Sequence, residues 1–387
     1  MAAYLNKRHK TSLKTFSLYL HQNILLSLTP CTTQQLIADI LAFKANKIYL
    51  ESVLLNFKDK DWLDLVKVGS SHLVLTTIYC RLQQKELLDI LPKDLETYLH
   101  DLTAINRNRN KTIFKQIEAL SQLLKSNNIN HVFLKGAALL VSGYYKDFGE
   151  RMIGDIDVLL PNSEIETAST LLRNNGYSYN ETTFGAKYFE YHHDTRLILQ
   201  DNGIAAVELH RNILHKYFNT YLNTNDVLLH KILINGYYVP SKDYLIENII
   251  LNFEINDYGY LYAKLKFRNA YDFLCLYQNE PDDTLKSLWN KGKYHESFLA
   301  KVKFYFKEID TYKCKSKGLL LRQYIFKHSQ NKKTLLSEFY FYYANSVRHS
   351  KDILVRLSVF LTYKNYRLEA WQDRKRLIQL LKAKFFS

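Results

Sequence analysis

Residues 154–160 read Gly-Asp-Ile-Asp-Val-Leu-Leu and combine two carboxylates with an apolar run that predicts a buried strand. Because successive side chains of a strand point to opposite faces, Asp155 and Asp157 share one face while their apolar neighbours share the other. Two carboxylates this close raise each other's pKa unless a cation lies between them. Oxygen ligands at this spacing suit Mg²⁺, although an Asp-x-Asp pair alone is more often a helix cap or part of a solvated strand edge.

A second acidic strand is predicted further along the chain. In Val207-Glu208-Leu209-His210, polar and apolar residues alternate, so Glu208 and His210 share one face. Taken alone, a Glu or a His on a strand is more often an exposed or satisfied residue. If this strand lies beside the Asp-Ile-Asp strand, Glu208 completes a set of three carboxylates able to hold one or two metal ions. Such a site would orient a triphosphate and neutralise the charge that builds on leaving pyrophosphate.

Phosphate binding is the chemistry suggested by three further residues, Lys135, Gly136 and Arg151. Residues 131–134 predict a short apolar strand that ends at Lys135-Gly136, and residues 137–145 have helical composition. A glycine at this corner lets a phosphate approach the backbone, where the start of a helix offers N–H donors. Arg151, four residues before Asp155, could clamp a phosphate through two hydrogen bonds. In isolation the corner is common in proteins that alternate strands and helices, and Arg151 suits a surface ion pair equally well.

The composition is that of an ordinary globular chain long enough for two or three domains, with 387 residues, 47% hydrophobic and 24% charged. No run of about 18 apolar residues and no signal-peptide pattern occurs, so we expect neither a membrane span nor secretion. The four cysteines are scattered without a Cys-x-x-Cys pair. This spacing argues against a disulfide framework or a zinc site and favours reduced thiols in a cytoplasmic protein.

The net charge of +15 is concentrated near the C-terminus, since residues 312–387 hold 17 Lys and Arg against four acidic residues. A basic helical segment with many aromatic residues could face RNA. A solvated surface on a lysine-rich chain is the slightly favoured alternative. We expect the aromatic cluster at residues 339–343 to form helix core rather than a base-stacking surface.

Apolar spacing divides the chain into three regions. Before residue 125 the spacing predicts packed helices, and from Asn225 to the C-terminus helical patterning returns. The region between them predicts short strands, a helix capped by Ser163 with Glu166 in the capping-box position, and a stop at Gly176. The predicted fold class is α+β, with a small sheet between helical flanks and regions at residues 1–125, 126–222 and 223–387. The other predicted segments are helices at residues 12–28, 33–45 (capped near Thr32), 73–91 and 102–124 (with Ile105 on its apolar face), and strands at residues 188–192 and 205–210.

The order of these elements resembles the polymerase-beta-like nucleotidyltransferase fold. More narrowly, roughly residues 129–214 resemble a family of bacterial nucleotidyltransferases of largely unassigned substrate. The resemblance is carried by residues 133–138 (Phe-Leu-Lys-Gly-Ala-Ala), 151–159 (Arg-Met-Ile-Gly-Asp-Ile-Asp-Val-Leu) and 207–210. Further matches are a His before the last strand (His192 or His193) and, in the later helices, Arg268 and Asp272.

The resemblance implies a small mixed β-sheet core and a Mg²⁺-dependent enzyme, with two metal ions, that transfers a nucleoside monophosphate from an NTP to a hydroxyl acceptor. The acceptor could be an RNA end, a protein or a small molecule, and no feature argues against a partner protein. The implied catalytic residues and metal ligands are Asp155, Asp157 and Glu208, and the implied nucleotide-binding residues are Lys135, Gly136, Arg151 and His210.

Two residues depart from the family pattern. Ala137 stands where most superfamily members have a serine whose hydroxyl contacts a phosphate, and Arg211 stands where the family often has Trp. The missing hydroxyl favours an alternative function, a non-catalytic nucleotide- or RNA-binding module on the same fold. Three retained carboxylates argue against that alternative, because clustered carboxylates cost stability without a compensating cation.

Overall fold

The computed structural model describes residues 32–179, 194–201, 203–278, 282–309, 326, 335–372 and 374–375. The predicted helix at residues 12–28 and the predicted strand at residues 188–192 lie outside the described residues. His192 and His193 lie outside them as well.

The described residues begin with five α-helices: α1 (Thr33–Leu41), α2 (Lys47–Leu54), α3 (Asp59–Ser71), α4 (Leu75–Gln84) and α5 (Lys93–Ser126). The predicted cap of α1 is confirmed, because the Thr32 hydroxyl accepts a hydrogen bond from Gln35 N at 3.2 Å. Helix α5 is longer than predicted, since no glycine or proline interrupts its 34 residues, and it spans about 50 Å. The prediction for Ile105 is wrong, because this side chain is exposed and α5 buries polar residues in its central turns.

A five-stranded mixed sheet follows, which confirms the α+β fold class. Its strands are β1 (Val132–Phe133), β2 (Ile156–Leu159), β3 (Tyr177–Tyr179), β4 (Leu197–Leu199) and β5 (Val207–His210), in the order β1-β2-β5-β4-β3. Strand β2 is parallel to β5 and antiparallel to β1. Helix α6 (Lys135–Val141) directly follows β1, and α7 (Ile165–Asn174) follows β2. The two acidic strands are therefore neighbours in the sheet.

The start of α7 differs from the prediction. Ser163 lies in a 3₁₀ turn, Asn162–Glu164, and no side chain caps α7. Glu164 instead accepts a hydrogen bond from Asn130 N at 2.7 Å, so a tertiary contact replaces the local capping box. The predicted stop is confirmed, because Gly176 has a φ of 87°, a conformation that favours glycine.

The helical prediction after Asn225 is wrong for one segment. After α8 (Thr224–Leu229), strands β6 (Lys231–Ile234) and β7 (Tyr237–Pro240) form an antiparallel hairpin. Asn235 and Gly236 connect them with φ values of 50° and 86°, as a two-residue type I′ turn requires.

The remaining described elements are helical. A π-helical turn at Asn252–Asn256 directly follows the helix Lys242–Leu251. The helices are α9 (Lys242–Leu251), α10 (Phe267–Tyr277), α11 (Asp282–Asn290), α12 (Lys293–Tyr305), α13 (Leu335–Thr362) and α14 (Lys364–Gln372).

The aromatic cluster on α13 corrects another prediction. Phe339, Phe341, Tyr342 and Tyr343 are 71%, 42%, 69% and 55% exposed, so four of the five rings do not form helix core. The fifth, Tyr340, packs against the core.

Buried side chains from all three predicted regions join one hydrophobic cluster. The N-terminal helices also bond to the sheet region, because the hydroxyls of Thr76 and Thr77 both donate to the backbone oxygen of Glu150. Within the described parts of the chain, no helix is long and apolar enough to cross a membrane.

A buried histidine makes the stability of this fold sensitive to acid. Burial lowers the pKa of His131, which has no exposed surface, to about 4. An unfolded histidine has a pKa near 6.5, so the neutral ring stabilises the fold fully above pH 6.5 and this contribution is lost as the pH falls towards 4. We expect His131→Gln to reduce the acid-induced loss of unfolding free energy by up to about 3 kcal/mol, measured by urea unfolding at pH 7 and pH 4.5. His100→Gln, at a largely exposed position, should retain the wild-type pH dependence, and equal pH dependence of both variants would contradict the role of His131.

Candidate active site

The parallel pairing of β2 and β5 assembles the candidate site. Asp157 lies directly opposite Glu208 in the register. The apolar residues that alternate with them are fully buried, so the requirements of the core fix which face carries the carboxylates. Asp157 and Glu208 therefore lie side by side, as they should if the two acidic strands are neighbours.

His210 joins these carboxylates two residues further along β5. Its Nε2 atom lies 2.8 Å from Asp157 Oδ1 and 3.4 Å from Glu208 Oε2. Ligand atoms of all three residues lie within 4.8 Å of one another, and all three residues are buried. His210 was predicted to bind nucleotide, whereas the structure brings it into the carboxylate group.

Lys135 provides the first positive charge of the site. Its Nζ atom forms an ion pair with Asp157 Oδ1 at 2.7 Å. The backbone of Lys135 has a φ of 49°, a left-handed conformation that costs a non-glycine residue on the order of 1 kcal/mol. The strained corner at the start of α6 thus coincides with a direct contact to the carboxylates.

Arg196, which no sequence motif indicated, provides the second positive charge. Its Nε atom donates to Glu208 Oε1 at 2.5 Å, and its Nη2 atom lies 3.4 Å from Asp155 Oδ2. Asp155 is thereby linked to the other carboxylates through a cation, and its side chain is 35% exposed. No local motif marks Arg196, because its role follows from the pairing of β4 with β5.

Charges within the group shift its pKa values in different directions. Burial raises the pKa of Asp157, but the charge of Lys135 and the bond to His210 outweigh it and hold the pKa well below the usual range. Burial raises the pKa of Asp155, and the charges of Glu208 and Asp157 add to the rise against the opposing effect of Arg196. Asp157 is thus the firmly ionised centre of the group, and Asp155 lies at its border.

Gly136 and Arg151 meet beside this group. A Cβ atom at Gly136 would lie 2.9 Å from Nη1 of Arg151, so the missing side chain makes room for the guanidinium. The other side of Arg151 pairs with Asp272 through bonds of 2.8 to 3.2 Å, and Tyr145 donates to the same carboxylate. Arg151 is therefore part of a buried ion pair, in place of the surface pair considered as the alternative to phosphate binding.

Polar residues of α5 hold the loop that leads into β2. The side-chain amide of Asn106 donates to the backbone oxygen of Gly149 at 2.8 Å, and that of Asn110 donates to the backbone oxygen of Arg151 at 2.7 Å. Arg109 donates to the backbone oxygen of Ile153. This polar stripe, buried at Asn106 and Asn110, explains why α5 departs from a simple apolar pattern and fixes the position of the Asp-Ile-Asp strand.

The donor set suits a divalent cation. Two carboxylates and one imidazole nitrogen converge, and carboxylate oxygens are preferred by Mg²⁺ and Mn²⁺, while imidazole also suits transition metals. Asp157 and Glu208, two of the three predicted metal ligands, belong to the close group, and the third, Asp155, lies next to it through Arg196.

Comparison with protein families identifies the chain's family. The model of a family described as uncharacterised nucleotidyltransferase matches residues 58–297, a range that contains every residue of the site. The chain belongs to this family, which confirms the resemblance seen in the sequence motifs. No curated protein matches the chain.

Proposed function

We propose that this member of the nucleotidyltransferase family transfers a nucleoside monophosphate from an NTP to a hydroxyl acceptor, with Mg²⁺ as cofactor. The observation that carries the proposal is the convergence of Asp157, Glu208 and His210 within 4.8 Å on two parallel strands, with Asp155 at its border. In the reaction, the acceptor oxygen forms a bond to the α-phosphorus, the bond between the α- and β-phosphates breaks, and pyrophosphate leaves.

Asp157 and Glu208 would hold one cation, and Asp155 would help to hold a second. Bound divalent cations neutralise charge on the triphosphate and lower the pKa of an attacking hydroxyl. Glu208 would either share a cation or accept the proton of the acceptor hydroxyl. His210, between Asp157 and Glu208, would fix the orientation of both carboxylates.

Lys135 and Arg196 would change partners when substrate binds. They compensate the charge of the carboxylates, at 2.7 Å from Asp157 and 2.5 Å from Glu208. If divalent cations held the carboxylates, these two side chains would become available to the phosphates of the NTP. Gly136 and the N–H groups that follow it, with Arg151 alongside, would complete the phosphate contacts, because Ala137 offers no hydroxyl.

Thermal unfolding in the presence of Mg²⁺ and NTP tests the proposal. A ligand that binds only the folded state raises the unfolding temperature, so the wild-type protein should be stabilised by Mg-NTP. The double variant Asp155→Asn/Asp157→Asn should show little stabilisation, while Glu166→Gln, at an exposed position on α7, should behave as wild type. If Mg-NTP leaves the wild-type protein unchanged, the proposed function is wrong.

The absent hydroxyl at Ala137 favours a second candidate, a module that binds nucleotide without transferring it. This candidate predicts the same thermal stabilisation by Mg-NTP but no release of pyrophosphate with any acceptor. If Mg-NTP stabilises the wild-type protein, a measurement of pyrophosphate release by that protein therefore separates the transferase from the binding module.

Arg196 competes with a cation for the carboxylates in this proposal. We expect Arg196→Met to tighten Mn²⁺ binding in the absence of NTP by severalfold, because Asp155 and Glu208 then lose their positive partner. Isothermal titration calorimetry with Mn²⁺ measures this change, and Arg173→Met, in the exposed last turn of α7, is the matched control. Weaker Mn²⁺ binding in Arg196→Met than in the control would contradict the competition.

A further inference from the structure

A cleft rich in aromatic and basic residues lies between residues 256–268 and α13. Its volume is about 990 Å³, at the upper end of the range of about 300–1,000 Å³ that is typical of small-molecule sites. Four basic residues and two acidic ones line it, so its charge is positive. We call it the aromatic cleft.

Rings and cations alternate along the aromatic cleft. Lys264 Nζ lies 5.1 Å from the ring centre of Tyr262 and 4.9 Å from that of Phe341. The guanidinium of Arg348 lies 4.7 Å from the ring centre of Tyr258. Tyr342 offers a further, largely exposed ring. Alternating rings and cations match the alternating bases and phosphates of a single-stranded nucleic acid.

Three observations place the aromatic cleft beside the candidate active site. Asn256, in its wall, accepts from His215 N and donates to the backbone oxygen of Ile213, both just beyond the end of β5. Arg268, also in the wall, lies one turn from Asp272 on α10, the partner of Arg151. The charge of Lys135 lowers the burial-raised pKa of Asp257, a third wall residue.

The loop that forms the floor of the cleft is anchored from beneath. Lys301 Nζ pairs with Glu254 Oε1 at 2.6 Å and donates to the backbone oxygens of Gly259 and Lys264. The hydroxyl of Tyr340 donates to the backbone oxygen of Leu261 at 2.8 Å, which ties α13 to the same loop. These bonds hold the rings and cations in place before any ligand binds, which lowers the entropic cost of binding.

We propose that the aromatic cleft binds a single-stranded nucleic acid and presents its terminal hydroxyl to the carboxylate site. Unpaired bases can stack on rings that a duplex would not reach, and phosphates can approach Lys264, Lys266 and Arg348. An acidic peptide could form ion pairs with the basic side chains, but it offers no planar bases to stack on the exposed rings. Only the role of the strand as acceptor rests on the proposed function, because strand binding itself needs neither NTP nor transfer.

Fluorescence anisotropy with labelled RNA and DNA strands of about eight nucleotides tests this inference on the full chain without NTP. Binding of either strand by the wild-type protein is expected, and the tighter of the two identifies the preferred sugar. Phe341→Ala should weaken binding about fivefold or more, since it removes one stacking surface. Lys264→Gln should reduce the slope of log affinity against log salt by about one.

Two matched variants control for nonspecific effects. Phe339→Ala removes a more exposed ring of α13 that does not line the cleft, and Lys115→Gln removes an exposed charge of α5. Both should bind as wild type. Failure of the wild-type protein to bind either strand, or equal losses in Phe341→Ala and Phe339→Ala, would overturn the inference.

Two further measurements separate this inference from the proposed function. The Asp155→Asn/Asp157→Asn variant should keep strand binding while it loses stabilisation by Mg-NTP. If Mg-NTP binds and neither strand does, the inference fails and the proposed function stands. If Phe341→Ala weakens NTP binding and no strand binds, the cleft holds the nucleotide and the inference is overturned.

Discussion

Asp157→Asn is expected to reduce pyrophosphate release from NTP by on the order of a thousandfold, a loss of several kcal/mol of transition-state stabilisation. Asp157 is the common partner of Lys135 and His210 and belongs with Glu208 to the metal-binding group. An amide keeps the shape of the side chain but removes the charge that holds a cation. Enzyme-coupled detection of pyrophosphate at saturating Mg²⁺ measures the loss.

The stability of the variant must be considered with its activity, because the Asp157→Asn substitution leaves Lys135 without its ion-pair partner. Asp155→Asn is the companion variant, since Asp155 is partly exposed and contacts the more exposed Arg196. It should fold as wild type and still lose a large part of the activity. Glu166→Gln, outside the site, is the control and should keep full activity. Full activity in a folded Asp157→Asn protein would contradict the assigned role.

Lys301→Met is expected to lower the free energy of unfolding by about 3–5 kcal/mol. Lys301 and Glu254 are 4% and 0% exposed, and the substitution removes the cation that lies 2.6 Å from the buried Glu254 carboxylate. The pair also holds the loop below the aromatic cleft, so we expect the same variant to bind single strands less tightly. Urea unfolding measures the first effect.

A second substitution separates loss of the charge balance from loss of packing. Lys301→Met/Glu254→Leu removes both charges, and the free energy of unfolding should recover for the most part, because an apolar pair of similar size can replace a buried ion pair. Lys47→Met breaks the solvent-exposed pair with Glu86 and should leave stability unchanged within measurement. Equal effects of Lys301→Met and Lys47→Met would contradict the importance of burial.

The sequence predicted those parts of the site that depend on local alternation. Strand geometry alone requires that Glu208 and His210 share a face, and the pairing with Asp157 follows once the two strands are neighbours. Helix starts and stops set by a single residue, such as Thr32 and Gly176, were predicted for the same reason. These features depend on a few consecutive residues, and their physical cause is contained in them.

Features that depend on distant residues could not be predicted. Arg196 reaches Glu208 and Asp155 only because β4 pairs with β5, and Arg151 meets a partner 121 residues away. The exposure of the aromatic rings on α13 could not be predicted either, since their surroundings are set by tertiary packing. The β6–β7 hairpin is different, because Asn235-Gly236 is a strong local turn signal that the surrounding apolar pattern obscured.

The central claim, transfer of a nucleoside monophosphate, is tested most directly with NTP carrying label on either the α- or the γ-phosphate. Incubation with Mg²⁺ and separate pools of RNA, protein and small-molecule acceptors should attach the α-label to an acceptor in at least one pool and release the γ-label as pyrophosphate, and Asp157→Asn should do neither. Transfer of the γ-label to the acceptor, or retention of both labels in intact NTP with every acceptor class, would contradict the account.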